Sequence, residues 1–127
     1  FGVVGDLACA VPSEEYMQRV MECFGVKALR HSDIVKSEVA RVAVCTGAGA
    51  SLIDVARASG ADLYLTADLK YNDFMRHENR IILADMGHFE SEYCAIQILF
   101  DILSKNLCIF AVRKSVCSRN PVNYMTR

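Results

Sequence analysis

The chain has 127 residues, 53% hydrophobic and 23% charged, with a formal net charge of −1; this fits one globular domain with its own core and excludes a disordered or low-complexity polymer. The near-neutral charge leaves no basic footprint for nucleic acid and no pull toward an acidic membrane. The longest apolar runs, RVAVC, IILA and CIFAV, fall far short of the roughly twenty residues of a membrane-spanning helix.

The chain opens with FGVVGDLACAV, a strand-like stretch that starts on Phe1 without a signal-peptide pattern and reads as a piece of something longer. PSEEYMQRVMECFG follows. Ser13 is placed to cap a helix, Glu14 and Glu15 suit its positive end, and Gly25 suits its stop. VKALRHS suggests a short strand and DIVKSEV a connection. From there the alternation is regular: strand 41–45 (RVAVC), the turn TGAGAS, a helix ending at Gly60, and strand 61–68 (ADLYLTAD). Then come a short helix in LKYNDFMRHEN, strand 80–85 (RIILAD), the turn MGH, and a long helix FESEYCAIQILFDILSKNL with Ile96, Leu99, Phe100 and Leu103 on one side. CIFAVRKS is expected to close the core, with a tail after it. This order predicts a single α/β domain over 1–127, with alternating strands and helices on a mostly parallel or mixed sheet, layered α/β/α.

Six cysteines (Cys9, Cys23, Cys45, Cys94, Cys108 and Cys117) show no C-x-x-C and no dense cluster, and most lie in apolar runs. They read as small buried hydrophobes in a reducing, cytoplasmic setting, with a cysteine zinc site disfavoured.

In open α/β sheets, ligands sit beyond the carboxyl ends of the strands. Three such ends carry the unusual residues: Thr46 to Ser51, Thr66 to Asp68, and Asp85 to His88. The turn holding Gly47, Gly49 and Ser51 has two readings. It is a tight strand-to-helix connection, or a backbone cradle for an anion. The dinucleotide fingerprint would need a third glycine where Leu52 stands, and the phosphate loop a Gly-Lys pair that is absent. His88 and Glu92, four apart at a helix start, share one face. Imidazole plus carboxylate suits zinc, iron(II) or manganese(II), or acid–base work, or simply a local hydrogen bond. Two ligands do not make a catalytic zinc site; Asp85, Asp68 and Glu90 are candidates to complete one, although Glu90 points to another helix face. Thr66 and Asp68 bind substrate or cap the next helix. His31 and His77 read as surface histidines, and Tyr64, Tyr71 and Phe74 as core and interface.

Taken together, the stretch RVAVCTGAGASLIDVARASGADLYLTADLKYNDF…IILADMGHFESE resembles the second half of the NIF-three-like family, also described as GTP cyclohydrolase 1 type 2 homologs. The ordered motifs are an R-V-A-V strand into a Gly-rich turn, G-A-D-x-Y-x-T-G-D-x-K-Y, and D-x-G-H-x-x-x-E, covering Arg41 to Glu92. The Gly2 to Leu7 segment followed by Pro12 is similar to the start of that half. The resemblance implies an α/β protein of two similar halves, assembled into toroidal hexamers, with two metal ions per subunit. It implies metals held by a His pair and an Asp of the first half and by the His and Glu of G-H-x-x-x-E, which here are His88 and Glu92. No His-His pair occurs in this sequence, so the expectation is a C-terminal domain whose N-terminal half, and half of whose metal ligands, belong to a longer protein. Thr66, Asp68 and Asp85 would then orient ligands or substrate. Three positions depart from the pattern: Ala67 for the glycine of T-G-D, Thr46 for the first glycine of the turn, and Asn72 where relatives often have histidine. The expected activity is that of a metal-dependent hydrolase in the complete protein, and the alternative is a metal-binding or assembly domain without catalysis.

Overall fold

The computed structural model describes Phe1–Met125. Five strands, β1 (Val3–Pro12), β2 (Arg30–His31), β3 (Glu38–Ala48), β4 (Leu63–Ala67) and β5 (Ile82–Asp85), form one sheet in the order β1-β3-β4-β5-β2. β3, β4 and β5 run parallel, while β1 and β2 are antiparallel at the two edges, so the sheet is mixed. The period-2 alternation of these strands sorts their side chains onto two faces. Val42, Leu63, Leu65, Ile82 and Ala84 join Met17 and Val20 of α1 (Ser13–Phe24). Ala43, Tyr64 and Leu83 join Ile53 and Ala56 of α2 (Ile53–Ala58) on the other face.

β4 and β5 are buried along their whole length, which is why they read as unbroken apolar runs. Covering Leu63, Ile82 and Leu83 completely contributes roughly 1.5–3 kcal/mol for each. These strands fix where the sheet ends, and so where the site lies.

Local rules account for most helix boundaries. Gly25 takes a left-handed conformation (φ 65°) and its amide closes α1 onto the Met21 carbonyl. Ser13 departs from its expected capping role. It is already inside the helix, and its hydroxyl donates to the Lys36 carbonyl at 2.6 Å, tying α1 to the chain entering β3. The helix expected in 69–79 is one turn, α3 (Tyr71–Phe74), followed by a 3-10 turn at Met75–His77.

The long C-terminal helix is interrupted once, as α4 (His88–Glu92) and α5 (Cys94–Asn106). Tyr93 between them keeps helical dihedrals (φ −60°, ψ −29°), and the Ile96 amide reaches the Tyr93 carbonyl at 3.2 Å, a tightened turn. α5 buries none of its residues; Ile98, Leu99, Ile102 and Leu103 are exposed. CIFAVRKS forms no strand, and Ile109 is 90% exposed. A strand exists only against a partner edge, and no ladder among the described residues reaches this segment. The cysteines also differ from expectation: all six are free, five are exposed and Cys45 is half-buried. Cys9 lies on the edge strand β1, where most residues are exposed, and Cys23 lies outside the buried stripe of α1. Among the described residues, no helix is long and apolar enough to cross a membrane.

Candidate functional site

The three parallel strands deliver their carboxyl ends side by side, with Ala48 opposite Ala67 and Thr66 opposite Asp85. The expected rim therefore exists, and it gathers Gly47, Thr66, Asp68, Asp85, His88 and Glu92. The β3–β4 register shifts between Val44 and Ala48, a bulge of the kind that re-aims backbone next to sites. It places Gly47 under α4.

His88 lies between two carboxylates. Its Nδ1 is 2.7 Å from Asp68 Oδ2, and its Nε2 is 3.3 Å from Glu92 Oε2. All three side chains are about half exposed. The hydrogen bond to Asp68, more than any other influence, raises the His88 pKa above its ordinary 6.5; the Asp68 and Glu92 charges add to it, and partial desolvation opposes it. Asp68 reaches this position through a left-handed backbone (φ 58°), which Asp tolerates. That conformation falls on Asp68 and not on Ala67, a fully buried residue of β4, so a side chain is accommodated where the family pattern has glycine.

The two imidazole nitrogens point away from each other, so Asp68 and Glu92 occupy opposite edges of the ring. Accordingly, among the described residues no group of three His, Cys, Asp or Glu side chains is arranged to hold a metal ion. The donor chemistry fits one edge of a metal site. In the neutral tautomer that keeps its proton on Nδ1 against Asp68, Nε2 would present its lone pair beside Glu92, the arrangement that metal-ligating histidines adopt.

The remaining rim residues hold this trio in place. Gly47 has φ 64°, and a Cβ there would sit 2.5 Å from Glu92 Oε1; only glycine allows both the turn and the close approach. Its amide donates to the Ser91 hydroxyl (2.9 Å), which donates to the His88 carbonyl (2.8 Å). Thr66 is buried and donates to the Gly47 carbonyl (3.2 Å). A Cβ on Gly49 would lie 2.1 Å from Thr66 Oγ1, and the Gly49 carbonyl accepts from the Tyr64 hydroxyl at 2.9 Å. Burial pushes the Tyr64 pKa up to about 12, so that hydroxyl stays a donor. The Gly49 amide faces the Ala67 carbonyl at 3.5 Å. Both glycine amides of the turn are thus engaged within the fold, and Ser51 is exposed.

Asp85 is a buried carboxylate that accepts from the Arg30 guanidinium, from the Leu69 amide (2.9 Å) and from the Gly87 amide (2.9 Å). It fixes the Gly87 turn (φ 88°) from which His88 springs. Thr66 and Asp68 therefore do not cap α3; the Asp73 carboxylate accepts the Lys70 amide there instead, at 2.9 Å. Glu90 makes no hydrogen bond to His88 among the described residues and accepts from the Asn120 side-chain amide at 2.8 Å. His31 is exposed, and His77 is half-buried and accepts from the Asn79 amide. Of the aromatics, Tyr64 is core, Phe74 half-buried and Tyr71 exposed.

Sequence reasoning missed Ser91 and Arg30. A serine inside a helix carries no pattern of its own, and Arg30 is 55 residues from the carboxylate it serves. In front of His88 opens a cavity of about 750 Å³, walled by Phe89, Tyr93 and the C-terminal tail.

The rim, with G-H-x-x-x-E at the start of α4 and the Gly-rich turn beneath it, is matched by a family profile described as Duf34/NIF3 (NGG1p interacting factor 3), over residues 1–121. The chain belongs to the Duf34/NIF3 family. It is 38% identical over 106 residues to a GTP cyclohydrolase 1 type 2 homolog of Campylobacter jejuni, a match covering 83% of this chain and 42% of that protein. Its fold is similar to the crystal structure of Staphylococcus aureus protein SA1388 (TM-score 0.82, 19% identity, 98% of this chain and 42% of that one). It is also similar to a Bacillus cereus protein related to NIF3 (TM-score 0.82, 22% identity, 98% and 36%). The chain thus spans well under half the length of these relatives.

Proposed function

We propose that this Duf34/NIF3 domain contributes one edge of a dinuclear site for divalent cations (zinc, iron or manganese) in a longer protein, and that the whole is a metal-dependent hydrolase. The observation that supports the reading is the placed histidine: Nδ1 lies 2.7 Å from Asp68 Oδ2, while Nε2 lies 3.3 Å from Glu92 Oε2, so that imidazole and carboxylate face the same point. His88 and Glu92 are the ligands, Asp68 sets the imidazole tautomer, and Asp85 and Ser91 hold the ends of the His88 turn. A divalent cation bound there would lower the pKa of a coordinated water and polarise the bond to be cut. Water attack on a purine ring, the class of reaction that the relatives' names point to, is one such hydrolysis. The domain alone is inactive, because the other ligands come from the preceding half of the polypeptide, and the assembly is a cytoplasmic homo-oligomer.

A second reading, a metal-binding assembly domain without catalysis, is favoured by one observation: the apolar face of α5 lies uncovered in this chain, as an interface would. Metal content and turnover separate the two. In the protein that carries this segment together with its preceding half, His88→Ala and Glu92→Ala lose metal and retain solubility. Hydrolysis of a nucleotide or phosphoester in a panel with Mn²⁺, Zn²⁺ or Fe²⁺ supports the enzyme; tight metal without turnover supports the assembly domain. Full metal occupancy in both mutants refutes the ligand assignment.

A further inference from the structure

We propose that the cavity in front of His88 is a binding site for an uncharged, planar aromatic or heteroaromatic ring. This rests on the rim reading above and specifies the substrate class. At about 750 Å³ the cavity lies within the range of small-molecule sites, roughly 300–1,000 Å³. Its walls are of two kinds. Phe89 and Tyr93, one helical turn apart, stack with ring centroids 4.8 Å apart and planes at 28°, and Tyr93 keeps 47% of its surface exposed. The C-terminal tail adds Pro121, Val122 and Tyr124. The tail is pinned there: the Asn120 amide donates to Glu90 at 2.8 Å, and the Val122 amide donates to Asn120 Oδ1 at 2.9 Å. Flat rings and apolar side chains of this kind favour a flat, apolar occupant through offset stacking and desolvation.

The charges select against an anion. Arg30 is paired with Asp85, which leaves Asp68, Glu90 and Glu92 lining the same cavity with the His88 imidazole. Without a cation to screen them, these carboxylates repel a phosphate chain. A ring held against Tyr93 shares the cavity with His88 and Glu92, which puts a ring carbon or ring substituent within the reach of the proposed chemistry. The site therefore takes the ring of its ligand on the protein's own surface, and any phosphate only with metal.

The test uses the metal-free chain in chelator, with adenosine and 2-naphthol as neutral planar probes and adenosine triphosphate and ribose 5-phosphate as charged ones. Saturation-transfer NMR and calorimetry read binding. Adenosine or 2-naphthol is expected to bind, with adenosine triphosphate at least tenfold weaker than adenosine and ribose 5-phosphate undetected. Tyr93→Ala is expected to weaken the neutral probes at least tenfold with an unchanged circular-dichroism spectrum. If that variant unfolds, Val122→Arg in the tail gives the same readout outside any helix. Failure of both neutral probes at millimolar concentration overturns the proposal. So does triphosphate binding as tight as adenosine, or wild-type affinity in the folded variants. The metal reading is tested separately, by the metal content of His88→Ala and Glu92→Ala in the protein that carries the preceding half, so ring binding by this chain alongside full metal occupancy in those variants would sink the ligand assignment and leave the ring site standing.

Discussion

Gly47→Ala separates backbone strain from the placement of Glu92, because a second glycine supplies the control. Gly47 and Gly25 have nearly the same left-handed φ, 64° and 65°. An L-residue in that region costs roughly 1–2 kcal/mol, so each alanine variant should lose about that much stability. For a chain of 127 residues, this corresponds to a Tm lower by about 3–12 °C. Their surroundings differ. A Cβ at Gly25 meets nothing within 4 Å, whereas one at Gly47 meets Glu92 Oε1 at 2.5 Å and His88 Cε1 at 3.4 Å. The Glu92 carboxylate is the end of a flexible side chain, so it yields at little energetic cost but leaves its place beside His88. The two variants should therefore match in stability and differ at the site. Urea denaturation measures the first. Broadening of the His88 and Glu92 side-chain NMR signals by sub-stoichiometric Mn²⁺, which detects weak binding, measures the second. The expectation is wild-type broadening in Gly25→Ala and its loss in Gly47→Ala. Equal broadening in both, or a stability gap above about 2 kcal/mol, would refute the reasoning.

Ser91→Ala should cost about 1–3 kcal/mol by urea denaturation, because it strands the Gly47 amide in a buried place; a loss under about 0.5 kcal/mol would mean that the hydroxyl holds nothing. His88 titrates above its ordinary value because of Asp68. Their pairing thus stabilises the fold below about pH 6.5 and is lost as pH rises through the raised folded value. In Asp68→Asn, the NMR titration of His88 should move to lower pH and this dependence should flatten; an unmoved titration would contradict the pairing. Leu63→Ala in the core should cost about 2–5 kcal/mol, whereas Leu99→Ala and Ile102→Ala on the open face of α5 should each change urea stability by under about 0.5 kcal/mol. Large losses at α5 would mean that its face is covered.

The layers and the rim were legible because they follow from local patterns. β4 and β5 announce themselves as apolar runs, Gly25 as a stop, and the three strand-end turns as places where glycine, threonine, aspartate and histidine follow directly on an apolar strand. The roles of Thr66, Asp68 and Asp85 were not legible at that level. Capping is a short-range rule, but Thr66 bonds to Gly47 across the sheet and Asp68 bonds to His88, 20 residues away. The failures at CIFAVRKS, α5 and the cysteines share one cause. Apolar patterning says that a face should be covered, and it does not say whether the cover belongs to this chain. Ile109, Leu99 and Cys94 fit buried patterns and stand exposed.

Calorimetric titration of this chain with Mn²⁺ or Zn²⁺, with His88→Ala as the blank, tests the central claim most directly. A two-ligand edge predicts weak binding, with a dissociation constant on the order of 1 mM or about −4 kcal/mol, and its disappearance in the blank. Tight one-to-one binding by the wild-type chain would contradict it, as would binding that His88→Ala leaves unchanged.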